Sequence, residues 1–176
     1  MNHKHLVLAA AGWLAKQKHS IIITEMASVG FERPDAIGWR CPGVSTLVEC
    51  KASRSDFYAD AKKPFRLHPQ KGIGAYRYYL SLPGVIMPEM LPENWGLIEL
   101  TGSKVRVIRE AIILSEWNKM VEIGILMSAM RRMKGALVEG ISANFYSFET
   151  KRSCTVGVAI DQDPFTRAPD VVELKR

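Results

Sequence analysis

The 176-residue chain predicts an α/β fold, a mixed sheet flanked by helices. Three observations carry that expectation. Leu6, Ala9, Ala10, Trp13 and Leu14 recur at helical spacing near the start. Short β-rich runs follow at residues 21–26, 35–39 and 45–50, parted by turn residues. The next strand-like run, residues 77–82, comes only after a second helical stretch, so it should lie parallel to the strand before it.

The elements follow in order. A helix over residues 3–18 is amphipathic and ends in the polar run Lys16 to His19, which argues against a secretion signal. Its apolar part is too short to span a bilayer. Residues 21–26 form a strand, and a loop leads into the run that begins at Asp35. Pro42-Gly43 marks a turn, so the runs on either side make a hairpin. Ser53 and Asp56 open a helix that continues to Lys63 and stops at Pro64. A mobile loop is expected over residues 64–74, which contain Pro69, Gly72 and Gly74. A proline-rich loop at 83–92 precedes a hairpin of residues 94–100 and 104–109. The order is α-β-β-β-α-β-β-β.

Beyond Ala111 the pattern changes. Ser115-Glu116-Trp117 should cap a long helix that Gly135 ends, with Met120, Val121, Gly124, Met127, Met130 and Met133 near one face. Those methionines are expected on the core or on a second subunit. Residues 136–176 hold Phe145, Tyr146, Phe148 and a strand-like run at 155–160.

The net charge of +6 fits a polyanionic partner, and its distribution is more telling than its size. Residues 61–88 contain no acid, yet they carry Lys62, Lys63, Arg66, Lys71 and Arg77. With Arg54, these are the candidate nucleic-acid contacts. Tyr76, Tyr78 and Tyr79 are interleaved but sit in a strand, so inward packing is expected for them. Cys41, Cys50 and Cys154 give an odd, dispersed set, which suits neither a disulfide framework nor a zinc site and points to a reducing compartment.

The chemistry concentrates at Pro34-Asp35 and Glu49-Cys50-Lys51. Side chains at i and i+2 of a strand share a face, so Glu49 and Lys51 project together while Cys50 points into the packing. The hairpin brings Asp35 beside Glu49, roughly 5 Å away. Two carboxylates at that spacing repel unless a cation lies between them. Mg²⁺ suits oxygen donors of this kind, with the Cys50 carbonyl as a further ligand and Mn²⁺ as a substitute. Lys51 would then orient the attacking water and offset charge on a phosphate. Glu25 is either a further ligand or an ordinary strand-end acid. Asp56 and Asp60 read as helix-surface or capping residues, and His3, His5 and His19 as helix-surface residues. Ser53 reads as the cap and His68 as a loop residue.

These motifs resemble the signature of the PD-(D/E)xK nuclease superfamily. The stretch Glu49-Cys50-Lys51-Ala52-Ser53-Arg54-Ser55-Asp56-Phe57 is also similar to small bacterial and phage proteins described as DNA-repair-like nucleases. In those proteins a serine-arginine-x-aspartate-phenylalanine stretch follows the catalytic lysine. The resemblance implies a restriction-endonuclease-like αβββαβ core in residues 1–110, and a C-terminal helical extension in 111–176. It also implies catalytic roles for Asp35, Glu49 and Lys51, and an upstream acid for which Glu25 is the candidate. The expected activity is Mg²⁺-dependent hydrolysis of DNA phosphodiesters in a bacterial or phage-infected cytoplasm, and cutting both strands, which needs two sites, would call for a homodimer. Some exonuclease branches carry a glutamine and a tyrosine four residues apart on the next helix. Here Gln70 is followed at that spacing by Gly74, so that branch is not supported. The rival expectations are a catalytically silent DNA-binding module of the same fold and an RNA-directed nuclease. No nucleotide-binding loop or nucleophilic triad is apparent.

Overall fold

The computed structural model describes residues 2–26, 32–132 and 156–158. Helix α1 (His3–Lys16) is capped by Asn2, whose side chain accepts from the His5 amide. Leu6, Val7, Ala10, Trp13 and Leu14 form its buried face. Strands β1 (Ile21–Thr24), β2 (Ala36–Arg40) and β3 (Val44–Lys51) make an antiparallel meander. Gly43, at φ +97°, occupies a backbone region closed to most side chains and lets the β2–β3 turn close. Helices α2 (Arg54–Ala61) and α3 (Pro64–Leu67) carry the chain to β4 (Tyr76–Ser81), which pairs parallel with β3 as expected. Strand β5 (Trp95–Thr101) is parallel to β4, and β6 (Lys104–Arg109) returns antiparallel. After α4 (Lys119–Arg132), β7 (Val156–Val158) falls within the strand-like run at 155–160 and pairs with β1. The sheet order is β6-β5-β4-β3-β2-β1-β7.

Strand alternation divides the core into two layers. Val48, Cys50, Tyr78, Leu80 and Ile98 pack with the buried face of α1. Leu47, Tyr79, Trp95 and Leu97 pack on the other face with Phe57 of α2 and Ile125 and Ala129 of α4. Helix α4 therefore belongs to the same core as the sheet. Its buried Glu122 accepts hydrogen bonds from Trp39 Nε1 (3.1 Å), Ser45 Oγ (2.8 Å) and the Gly74 amide (2.8 Å). Gly74 sits at φ +89°, and a Cβ there would lie 2.6 Å from Leu47 Cβ, so only glycine brings that amide to the carboxylate.

Four local expectations are corrected. The cap of α4 is Asn118, whose side chain accepts from the Val121 amide, not Ser115. The methionines do not pack on the core: Met120, Met127 and Met130 are exposed, and Glu122, Ile125, Ser128 and Ala129 face inward. Their spacing is that of the helix's outer stripe. The expected loop at 64–74 instead contains α3 and a 3-10 turn, Pro69–Lys71. It is tied down by Arg77, whose guanidinium donates to the Pro69, Ile73 and Gly74 carbonyls. His19 is buried, bonded through Nδ1 to the Leu14 carbonyl and through Nε2 to Thr46 Oγ1. Met133, Gly135 and the appendage outside 156–158 lie beyond the described residues.

Candidate functional site

The pairing of Ala36 with Val48 places Asp35, one residue before β2, across from Glu49. Glu49 and Lys51 share the sheet face of Leu47, while Cys50 packs in the α1 layer, as the alternation requires. The Asp35 carboxylate accepts from the Cys50 amide (2.7 Å) through Oδ2. His3 Nε2 stands 3.3 Å from Asp35 Oδ1 and 3.9 Å from Glu25 Oε1. Glu25 takes a left-handed φ of +49°, unusual for a residue with a side chain, and its amide donates to the Asp35 carbonyl. The four expected acidic and basic groups thus converge at the carboxyl end of β3.

Burial, and then the nearby charge of Glu49, push the Asp35 carboxyl up to about 6. Burial is the larger cause, and the Glu49 charge is itself offset by Lys51 and Arg66.

Glu49 and Lys51 lie in a closed ionic network. Lys51 Nζ is 3.1 Å from Glu49 Oε2 and 3.2 Å from Asp60 Oδ1. Arg66 bonds Asp60 Oδ2 through Nε (2.8 Å), lies 3.3 Å from Glu49 Oε1 and pairs with Glu32. Lys63 reaches Asp60 Oδ1 at 2.6 Å, and the Tyr79 hydroxyl donates to Asp60 Oδ2 at 2.8 Å. Glu49 is only 2% exposed and Lys51 only 4%, so neither faces open solvent. Burial alone would lower the Lys51 pKa, but Glu49 and Asp60 outweigh it and hold the ammonium charged.

Asp60, Glu32 and Tyr79 were not foreseen as members of this cluster. Asp60 is buried, which corrects its assignment to the helix surface. A signal was present: Asp60 follows Phe57 by three residues, so both fall on the inward face of α2. Nothing in the local pattern around Glu32 marked it. Its carboxylate also accepts from the buried Ile73 amide.

The expected phosphate contacts divide. Arg77 is 1% exposed and donates through Nε and Nη2 to backbone carbonyls, with Nη1 buried and unpartnered, so its role is structural. The Arg66 guanidinium is likewise buried, between three carboxylates and over the Trp95 ring. Arg54 donates to the Gly84 and Val85 carbonyls from an exposed position. Lys62 and Lys71 are exposed, and Lys63 is partly so. The tyrosines pack inward as expected: Tyr78 meets Trp13 edge-on and Tyr79 stacks on Trp95. His68 is exposed and ion-pairs with none of these acids.

No protein-family model matches the chain, and no curated protein does. Among solved structures it is similar to the SPO1766 protein of unknown function from Silicibacter pomeroyi. The identity is 21% and the TM-score 0.58, over 75% of this chain and 89% of that one. At that identity the likeness concerns the fold alone.

Among the described residues, no three His, Cys, Asp or Glu side chains form a preassembled metal cage. Glu49 lies buried between Lys51 and Arg66, whereas Asp35 stands outside that network, held by the Cys50 amide and beside His3. Glu49 Oε1 is buried without a hydrogen bond, 3.3 Å from the Arg66 guanidinium. No described helix is long and apolar enough to cross a membrane. A separate crevice of about 260 Å³, lined by Trp13, His19, Arg40, Tyr76 and Glu110 among others, opens at the other end of β3 and β4.

Proposed function

We propose that the protein is a metal-dependent nuclease that hydrolyses DNA phosphodiester bonds. One observation carries this: Asp35 and Glu49 face each other across β2 and β3, with the Asp35 carboxyl raised to about 6 by burial and by Glu49. Such a pair favours a divalent cation. Mg²⁺ held by Asp35, Glu49 and the Cys50 carbonyl, with Glu25 nearby and Mn²⁺ as a substitute, would supply Lewis-acid activation of the attacking water.

The protein's own groups do the rest. Lys51 stays charged between Glu49 and Asp60, so it acts as an electrostatic partner for the phosphate rather than as a base. The Cys50 amide fixes one Asp35 oxygen and leaves the other directed towards His3. Lys62 and Lys71, exposed on the segment beside the site, provide charge for the DNA backbone.

Purified protein should nick supercoiled plasmid with Mg²⁺, and not with EDTA. Asp35→Asn and Lys51→Met should each abolish cutting. Activity that survives both substitutions sinks the assignment. Single-stranded RNA, run in parallel, tests the RNA-directed alternative. A second reading, a DNA-binding module without turnover, draws on the burial of Glu49 and Lys51. It predicts salt-dependent DNA binding and no cutting with any divalent ion.

A further inference from the structure

Helix α4 turns Glu122, Ile125, Ser128 and Ala129 to the sheet and leaves a second apolar face in water. On that face Met120 is 74% exposed, Ile123 47%, Met127 54% and Met130 50%. With about 3.6 residues per turn, the four side chains fall within about 80° of the helix circumference. They are spaced by three, four and three residues, the pattern of a helix that packs lengthwise on another. Single exposed apolar side chains are ordinary on a protein surface, but an unbroken row of them marks a contact.

The order of the row says what can cover it. Met120 and Met130 lie five residues to either side of Ile125, and Ile123 and Met127 two residues to either side. The stripe therefore reads the same when the helix is reversed. Two copies laid antiparallel set Met120 against Met130 and Ile123 against Met127, each pair occurring twice, as a two-fold axis requires. Gly124 is beside the centre. A Cβ there would meet no atom within 4 Å, so the bare backbone lets a second helix come close. Charge favours the same alignment. Lys119 and Arg131 lie on opposite rims of the stripe, and Glu116 stands just before the helix. A two-fold axis sets each rim against its own counterpart, which keeps the two cations apart and brings Arg131 of each copy towards Glu116 of the other. Parallel helices would instead put arginine beside arginine.

We propose that the outer face of α4 seats a second copy of this chain, paired antiparallel with the two-fold axis level with Ile125. The four side chains supply on the order of 400 Å² per copy, half of the roughly 800 Å² that each partner gives a standard interface. They form its apolar centre, and Lys119 and Arg131 form its rim, a composition in which methionine and arginine are both favoured. Methionine also adapts its shape to the facing side chain. A contact of this size is weak and reversible, with half-assembly at about 10–100 µM. The pairing stands independently of the nuclease reading.

Sedimentation velocity of the full chain across that concentration range tests the pairing, and the average mass should rise from monomer towards dimer. Met127→Lys places a charge at the centre of the contact and should raise the midpoint at least about tenfold. Met127 is exposed, so the change leaves the core alone, and the still more exposed Met120→Lys serves if that variant does not fold. A monomer at every concentration overturns the proposal and leaves the stripe to a different protein or to residues outside those described. A dimer that survives both lysine variants also overturns it, because its contact then lies elsewhere. Cysteine variants fix the direction. Met120→Cys and Met130→Cys, mixed and oxidised, should cross-link to each other well above the background set by the wild type's own cysteines. Neither should cross-link to itself, because antiparallel helices hold two copies of either position about 15 Å apart, beyond disulfide reach. No cross-link in the mixture, or stronger self-cross-linking of either variant alone, overturns the antiparallel arrangement.

Discussion

Lys51 of β3 and Asp60 of α2 form an ion pair of 3.2 Å that is almost wholly withdrawn from water. A pair of this kind contributes little to stability by itself, but losing one member is expensive because the other charge stays buried. Its strength therefore depends on pH. Burial opposes ionisation of Asp60, yet Arg66 and Lys51 outweigh it and hold the carboxyl below its ordinary range.

Stability should decline in two stages as pH falls. Burial lowers the pKa of His19 from its ordinary 6.5, so the unfolded chain takes up that proton first and the folded state loses ground below about pH 6.5. Asp60 contributes fully above its ordinary value of 3.8, and this contribution is lost as pH falls below that value. Urea midpoints between pH 8 and 3 would show both stages, and Asp60→Asn should remove the lower one. Asp35 and Glu32, whose carboxyls burial raises, oppose this loss in part of the same window, so a His19→Gln variant isolates the His19 stage, and an unchanged slope from pH 7 to 5 in that variant would rule it out.

Two substitutions at Asp35 should behave differently. Asp35→Ala leaves the Cys50 amide without its acceptor and should cost about 1–3 kcal/mol. Asp35→Asn keeps a carbonyl there and should cost less. Both should lose cutting. Urea denaturation alongside a plasmid assay separates chemistry from folding, and equal stability of the two variants would contradict the structural part.

The basic residues should separate into two sets. Lys62→Ala with Lys71→Ala should weaken DNA binding and reduce the slope of log affinity against log salt by about 1–2. Arg77→Met should leave that slope unchanged and destabilise the fold by about 2 kcal/mol or more, since buried carbonyls lose their donors. Fluorescence anisotropy over a salt series, with thermal melts, measures both.

Glu122→Ala should be the most damaging change in α4. It strands the Trp39 indole, the Ser45 hydroxyl and the Gly74 amide, for a cost of about 3 kcal/mol or more. Glu122→Gln keeps one oxygen and should fall between it and the wild type. A loss below about 1 kcal/mol for the alanine variant would mean that the three donors find other partners.

Much of the sheet was legible because its strands carry strong local signals. The β2–β3 hairpin follows from Pro42-Gly43 and β-rich flanks, and the parallel β4 from the intervening helix. The convergence of Asp35, Glu49 and Lys51 follows from strand alternation alone. What stayed hidden depends on distant partners. Arg77 looked like one more basic residue until the carbonyls around Gly74 claimed it. The methionine stripe of α4 was apolar enough to look like the buried face, but the sheet selected the face carrying Glu122, because only that one satisfies Trp39 and Ser45. Charge in the sequence gives the sign of an interaction, while burial decides whether DNA or the protein receives it.

The bond from Trp39 to Glu122 joins positions 83 residues apart. As the chain emerges from the ribosome, β1 to β6 are all synthesised before the acceptor exists. Until α4 docks, an indole, a hydroxyl and an amide from three separate segments wait for one carboxylate. Closure of this part of the core thus waits on an element made after β1 to β6.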